Sequence, residues 1–558
     1  MKNFSYLFMA GLMTLGFWAC SDDAEVTPGG DKENTADKVY MSFKLELPTA
    51  SRSTTDEDTG DTNSNATPDS EVGTEKENNV SHVDVVLATR NGNEYVYKVQ
   101  STDAVLGGAG SNYVATFNAT DLTSTVADQN VHVFVFCNYP YGTVGRDIFT
   151  KSINVTSFTD EIAKDDNFWM ANAVVSEAKL IPSTFEAYNS PSNPFELPDV
   201  KVERAAARFD FKHKEAVGGL EQNEYLLSTG TDPKVTVKLT NMALVNISNS
   251  FNILRRVAGD SNSDNIAEYN SAIICDVETP TNYVVDSDAA DKVTYNYLPN
   301  NFLNYWDGTT PNANTGKAER ATGNMNFGDL WTNKLINAEK TLISSLTVDD
   351  KWAGTGSTGN GDYKVWRYAT ENTLPSINSQ KKSLSTAVLF RGELKVEDDR
   401  LSGETAYVYN NILYGQWSQV QTASISEPNL KAAYDAAMAT VTAPATEPSL
   451  ENAAAVGFTV YTPEVTGANK CWPVYYYYIN KHNDNDDDSL MGPMELAVVR
   501  NNVYKLSVTE INKFGHPGNP GGDPDPVDPN DPDESKNVYF KVAVKVLPWT
   551  VRVNNIIF

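Results

Sequence analysis

Val39-Tyr40-Met41-Ser42-Phe43-Lys44-Leu45-Glu46-Leu47 decides how this chain is read. Val39, Met41, Phe43, Leu45 and Leu47 alternate with mostly polar residues. That two-residue period describes a strand with one buried face. Five apolar side chains share the face, and Pro48 ends the run. The pattern returns at the other end of the chain. Val538, Phe540, Val542, Val544 and Val546 share one face of residues 538–547. After Pro548 a last strand, Trp549 to Phe558, is predicted, with Trp549, Val551, Val553 and Ile557 on one face. Residues 514–536 before this tail are rich in Pro, Gly and Asp and read as an extended, acidic linker. The 27 Tyr and 22 Phe, with many Val and Thr, favour strands throughout.

Working outward from the first strand, Thr49 to Val80 is a run of Ser, Thr, Asp, Glu and Asn with Arg52 as its only arginine. Such a composition builds no core and predicts a mobile loop. Short strands come next at Val83–Thr89, Tyr95–Val99, Tyr113–Asn118 and Val131–Asn138, separated by turn residues as in a β-sandwich. Pro-rich Ile181–Pro198 reads as a domain joint. A second β-rich unit is expected from 199 to 513, with strands at Lys234–Leu239, Ala387–Val396, Ala406–Tyr414 and Asn501–Ile511. Phe327–Leu346 and Pro428–Val441 are predicted helical insertions in it. The resulting division is 1–20, 21–52, 53–198, 199–513, 514–536 and 537–558.

The N-terminus carries a processing signal. Lys2 is followed by the almost wholly apolar Phe4–Ala19 and then Cys20. That run is shorter than the ~20 residues of a membrane-spanning helix. A charged start, apolar core and small residue before the cut define a secretory signal, and a cysteine at the cut predicts lipidation at Cys20. Two or more acyl chains would anchor the product stably. The whole chain has 73 acidic against 44 basic residues, a net charge of -29. Without clustered Lys and Arg to neutralise phosphates, nucleic acid is excluded as a partner.

No catalytic constellation is visible. The five histidines, His82, His132, His213, His482 and His516, accompany no nucleophile elbow and no HExxH, and there is no Walker A loop. No enzyme activity and no cofactor are expected. Cys137, Cys275 and Cys471 have no metal-type spacing, and Cys137 and Cys275 end apolar strands as buried free thiols. Asp484, Asp486, Asp488 and Glu495 stand at EF-hand spacing. Ser489 replaces the required glycine and a strand, Val474–Ile479, precedes the run, so a solvated acidic turn is the expectation and calcium the weak alternative.

The two amphipathic ends suggest a paired device. A protease cutting between Arg52 and Ser53, in a loop of nickable composition, would free the first strand. Each buried apolar side chain is worth about 1.5–3 kcal/mol, so the emptied groove costs on the order of 10 kcal/mol. Two sheet edges would lose their partners. The C-terminal strand of another copy could fill the groove by strand addition, and such head-to-tail contacts propagate as filaments. Either of the two terminal strands could be the donor. The competing readings are a solvated Arg52 and a tail that folds back on its own domain.

These segments resemble the fimbrillins of Bacteroidales type V pili, in particular the Mfa-type major fimbrial subunits of the FimA-like superfamily. The resemblance is carried by Cys20-Ser21-Asp22-Asp23, Tyr40–Pro48 with Arg52, Val202–Arg208, Val237–Asn241 with Leu244-Val245-Asn246, Val498–Val508 and Val542–Trp549. It implies two transthyretin-like β-sandwich domains and export as an outer-membrane lipoprotein. It also implies cleavage by an Arg-specific protease, polymerisation by donor-strand exchange, and a shaft role supporting adhesion and biofilm. The implied partners are other copies of the chain, anchor and tip subunits, and host or bacterial surface receptors. The alternatives are a tip or accessory subunit, or a monomeric surface adhesin that binds glycan.

Overall fold

A computed structural model describes residues 37–47, 71–107, 112–140, 142–155, 161–227, 234–258, 273–275, 283–287, 328, 330–335, 337–346, 363–373, 385–397, 401, 405–466, 469–482, 495–518 and 540–550. The chain is mainly β, built from open sheets around one large core with two smaller apolar clusters beside it.

The first assembly contains β1 (Lys38–Glu46), β2 (Glu71–Val72), α1 (Glu75–Asn78), β3 (Val83–Asn91), β4 (Glu94–Ser101), β5 (Val105–Leu106), β6 (Asn112–Asn118), β7 (Asn130–Cys137), β8 (Met170–Asn172), β9 (Phe195–Glu196) and β10 (Val200–Arg204). Only β2 leaves this group, to pair in a different sheet. The remaining strands run in the order β4-β3-β7-β8-β10-β1-β6-β5, with β9 beside β1. In β7 both alternating sets, Val131, Val133, Val135 and Phe134, Phe136, are buried, so it reads as a continuous apolar run. His132 on this strand is half-buried and its Nδ1 lies 2.8 Å from the Ser176 carbonyl, a structural contact.

The second assembly uses β11 (Ala207–Lys212), β12 (Glu224–Leu226), β13 (Val235–Val245), β14 (Tyr363–Ala369), β15 (Ala387–Val396), β16 (Asn469–Ile479), β17 (Asn502–Ile511) and β18 (Phe540–Thr550). One sheet has the order β2-β18-β17-β11-β14 and the other is built on β12-β13-β15-β16. They pack face to face: Phe211 of β11 meets Phe390 of β15 at 6.0 Å, and the Tyr225 hydroxyl of β12 donates to the Val508 carbonyl of β17 at 3.1 Å. Cys137 and Cys275 are buried free thiols. Burial pushes the Cys275 thiol up to about 12, which removes it as a nucleophile.

Several expectations are corrected. Val200–Arg204, expected to open the second unit, pairs with β8 and β1 in the first sheet, and the chain crosses at Ala205-Ala206. Small buried residues there let the two assemblies approach closely. Ala406–Tyr414 is a hairpin, because Asn410 and Asn411 at φ 48° and 62° form its turn. Phe327–Leu346 is no long helix: its described part holds a short turn at Leu330–Lys334, two 3-10 turns, and Thr341-Leu342 paired onto β13. There the open edge of β13 recruits the chain, and tertiary pairing overrides helix propensity. Pro428–Met438 is the expected second helix, with Pro at its first turn. It belongs to an insertion with two further helices, Trp417–Ser424 and Leu450–Ala455, around a separate small core centred on Trp417 and Phe458. Finally, Pro548 does not divide the tail. β18 runs through it, on a strand with a largely open outer edge among the described residues, where a missing N–H is tolerated.

The Val498–Val508 motif now has a structural meaning. Arg500 is buried and pairs with Glu371 at 2.6 Å while donating to the Ile253 carbonyl at 2.7 Å. Asn501 adopts φ 56°, which turns the chain into β17. The Tyr504 hydroxyl accepts the Val499 N–H at 2.8 Å and lies 2.7 Å from His482 Nδ1. Burial pulls His482 down to about 3, so it stays neutral in the folded chain at neutral pH. Once unfolded it takes up a proton near its ordinary 6.5, so the unfolded chain binds more protons between about 6.5 and 3. Stability should therefore fall as pH drops through this window, by up to about 1.4 kcal/mol per pH unit from this group. Urea unfolding at pH 7 and pH 5 should show a shallower pH slope in His482→Gln than in the wild type; equal slopes would remove His482 as the cause.

Candidate assembly site

The first strand is seated on both sides. Along β6 it runs antiparallel from Lys38 opposite Asn118 to Lys44 opposite Asn112. On its other side it runs parallel to β9, with Met41 opposite Phe195, and then to β10, with Leu45 opposite Val200. β1 therefore bridges the β10 side of the assembly to β6 and β5. Val39, Met41 and Phe43 are at most 1% exposed, and Leu45 and Leu47 are half-buried against the same core. The Phe43 ring stacks on Tyr113 at 6.0 Å. Three side chains rather than five are fully enclosed. Their removal costs about 5–9 kcal/mol before any relaxation.

The C-terminal strand is held differently. β18 lies antiparallel on β17 from Phe540 opposite Ile511 to Pro548 opposite Asn502. Its other edge meets only β2 among the described residues, where Glu71 stands opposite Trp549 and Val72 opposite Thr550. In this structure the tail thus folds onto its own sheet. Phe540, Val542, Val544, Val546 and Trp549 lie on β18, and Val542 is half-buried against the core. Val538, Val551, Val553 and Ile557 lie outside the described residues, as do Cys20, Arg52, Ser53, Asp484, Asp486 and Asp488. Glu495 is buried and paired with Lys481 Nζ at 3.1 Å. Among the described residues no group of three or more His, Cys, Asp or Glu side chains could hold a metal ion.

A buried ionic cluster joins α1 to β10, β11 and β14, and sequence reasoning missed it. Arg208 forms a two-toothed contact with Asp210, 2.9 Å at each end, and also reaches the Glu77 carboxylate at 3.1 Å. The Tyr368 hydroxyl donates to the same carboxylate at 2.7 Å. Arg204 Nε donates to the Glu77 carbonyl at 3.1 Å, and Arg204 also bonds Asn78. Burial pulls the Arg204 guanidinium down to about 9 although Glu77 opposes it, and it remains charged at neutral pH. The available signal was Thr74-x-x-Glu77, a helix-capping pattern inside the polar run.

Residues 473–555, which span most of β16, all of β17 and β18, match the family described as major fimbrial subunit protein type IV, fimbrillin, C-terminal. This family likeness is confined to this C-terminal stretch, 83 of the 558 residues, which is similar to the corresponding region of fimbrillins. Similar solved structures include a fimbrilin from Porphyromonas gingivalis W83, at 14% identity over 93% of this chain and 99% of that one, TM-score 0.39. A candidate cell adhesion protein from Bacteroides eggerthii is 12% identical over 93% and 98%, TM-score 0.37. The tip fimbrial protein Mfa3 of Porphyromonas gingivalis, with a C-terminal truncation, is 10% identical over 92% and 100%, TM-score 0.32. No curated protein matches the chain.

The seat of β1 yields a direct prediction. Phe43→Ala in the uncleaved chain should lower unfolding stability by about 3–5 kcal/mol, read from urea midpoints. A loss below about 1 kcal/mol would mean that Phe43 is not packed as described.

Proposed function

We propose that this chain is a structural subunit of a cell-surface fimbria, delivered as a lipoprotein on Cys20 and freed for assembly by cleavage between Arg52 and Ser53. Residues up to Arg52 depart with the lipid, and β1 departs with them. The groove between β6 and β9–β10 then receives the C-terminal strand of another copy. The observation carrying this reading is the placement of β1: a strand with partners on both sides, joined to the rest by a stretch containing a single arginine. Its loss opens two edges and an apolar trough at once. β18 supports the same reading, since one long ladder and one two-residue contact hold it among the described residues. Adhesion, biofilm support and contacts with anchor and tip subunits would arise from the polymer.

The ladder of β18 on β17 favours a second reading, a surface adhesin that keeps its tail and acts as a monomer. One experiment separates the two. The chain without its first 20 residues is treated with a low dose of trypsin and run in SDS without heating. Ladders are expected only after cleavage at Arg52, with Ser53 as the new N-terminus, and Arg52→Ala should abolish them. Monomers that persist after complete cleavage at Arg52 would overturn the fimbrial reading.

A further inference from the structure

β2 is only two residues long and pairs in parallel, a contact too short to persist by its own hydrogen bonds. The residues immediately after it, Gly73 to Asn78, hold it in place. The Gly73 carbonyl accepts from Asn78 Nδ2 at 3.1 Å, and the Thr74 N–H donates to the Glu77 carboxylate at 2.5 Å. Glu77 is then held by Arg208 and Tyr368, and Asn78 by Arg204. Glu77, Arg204 and Arg208 are all buried.

These partners stand at one end of the β2-β18-β17-β11-β14 sheet. Arg208 of β11 faces Tyr368 of β14 on one side and Val503 of β17 on the other. Val503 faces Leu547 of β18, and the nearby β18 residues Trp549 and Thr550 face β2. Residues 71–78 therefore cross the end of the sheet like a strap, pinned at β11 and β14 and closing on the far edge of β18.

We propose that this strap is an autoinhibitory latch: β2 keeps the terminal strand in its own sheet, and Glu77 is the pin that sets β2 in place. The latch is intramolecular and stands independently of polymer formation. Its consequence, that the strap withholds β18 from a second copy of this chain, rests on the fimbrial reading above. Because Glu77 lies on the C-terminal side of Arg52, the strap stays with the subunit when β1 leaves.

Hydrogen–deuterium exchange of the uncleaved monomer tests the latch without any polymer. Glu71→Pro/Val72→Pro removes both β2 N–H groups and should raise exchange in Phe540–Thr550 about tenfold, with β13 and β15 unchanged. Glu77→Gln should raise it in the same peptides. The proline variant guards against general unfolding in Glu77→Gln, because β2 itself contributes nothing to the buried ionic cluster. Unchanged exchange in Phe540–Thr550 in the proline variant overturns the latch, whatever the ladders show. If exchange rises as expected, the cleaved proline variant should also form SDS-resistant ladders sooner than cleaved wild type. Faster exchange with no ladders from any cleaved chain keeps the latch and overturns the fimbrial reading.

Discussion

Buried arginine is the constraint on which the rest of this structure depends. Arg204, Arg208 and Arg500 are among the largest fully buried side chains. A guanidinium enclosed without a counter-charge costs on the order of 3–5 kcal/mol. Each therefore dictates where other segments must lie. Arg208 takes Asp210 from its own strand and Glu77 from far upstream. Arg500 takes Glu371 and the backbone carbonyls of Asn252 and Ile253. Arg255 pairs with Glu203 at 3.4 Å at the same seam. Polar groups of this kind add little net stability, but they penalise every alternative docking of the two assemblies. The largest core, which runs through both assemblies, is the apolar counterpart of that seam.

The parts of the fold written in a two-residue period were legible. β1, β7, β15 and β17 all fall where alternating or continuous apolar runs place them, while β13 runs past the expected Leu239 to Val245. Elements fixed by a single turn or by a distant partner were not. Asn410-Asn411 is a hairpin signal that a long apolar segment on either side concealed. Thr341-Leu342 becomes a strand only because β13 offers an edge. Pro548 looked like a terminator because it normally is one inside a sheet, and the sequence does not reveal that β18 is outermost but for a short partner.

The candidate site divides in the same way. The face of β1 could be read from Val39, Met41 and Phe43, although half-burial of Leu45 and Leu47 could not. Glu77 was masked because it sits in a run of Ser, Thr, Asp and Glu whose composition predicts no structure, with the Thr74-x-x-Glu77 capping pattern as its one local signal. Its importance comes from Arg204, Arg208 and Tyr368, respectively 127, 131 and 291 residues away in sequence. The charged seam thus joins segments that the sequence keeps far apart, and none of them announces it.

The pairing of β1 has one more consequence. It is antiparallel to β6 and parallel to β9 and β10, and these two ladders place their hydrogen bonds differently. A replacement strand laid in reverse would meet the wrong spacing on both edges. A shift of one residue would turn its apolar face outward. Direction is therefore imposed by the backbone ladders and phase by the buried apolar face. On the fimbrial reading, every subunit would point the same way, and the polymer would have two chemically unlike ends: one with a vacant trough, the other with a spare strand. Growth, capping and attachment would then be distinct events at opposite poles.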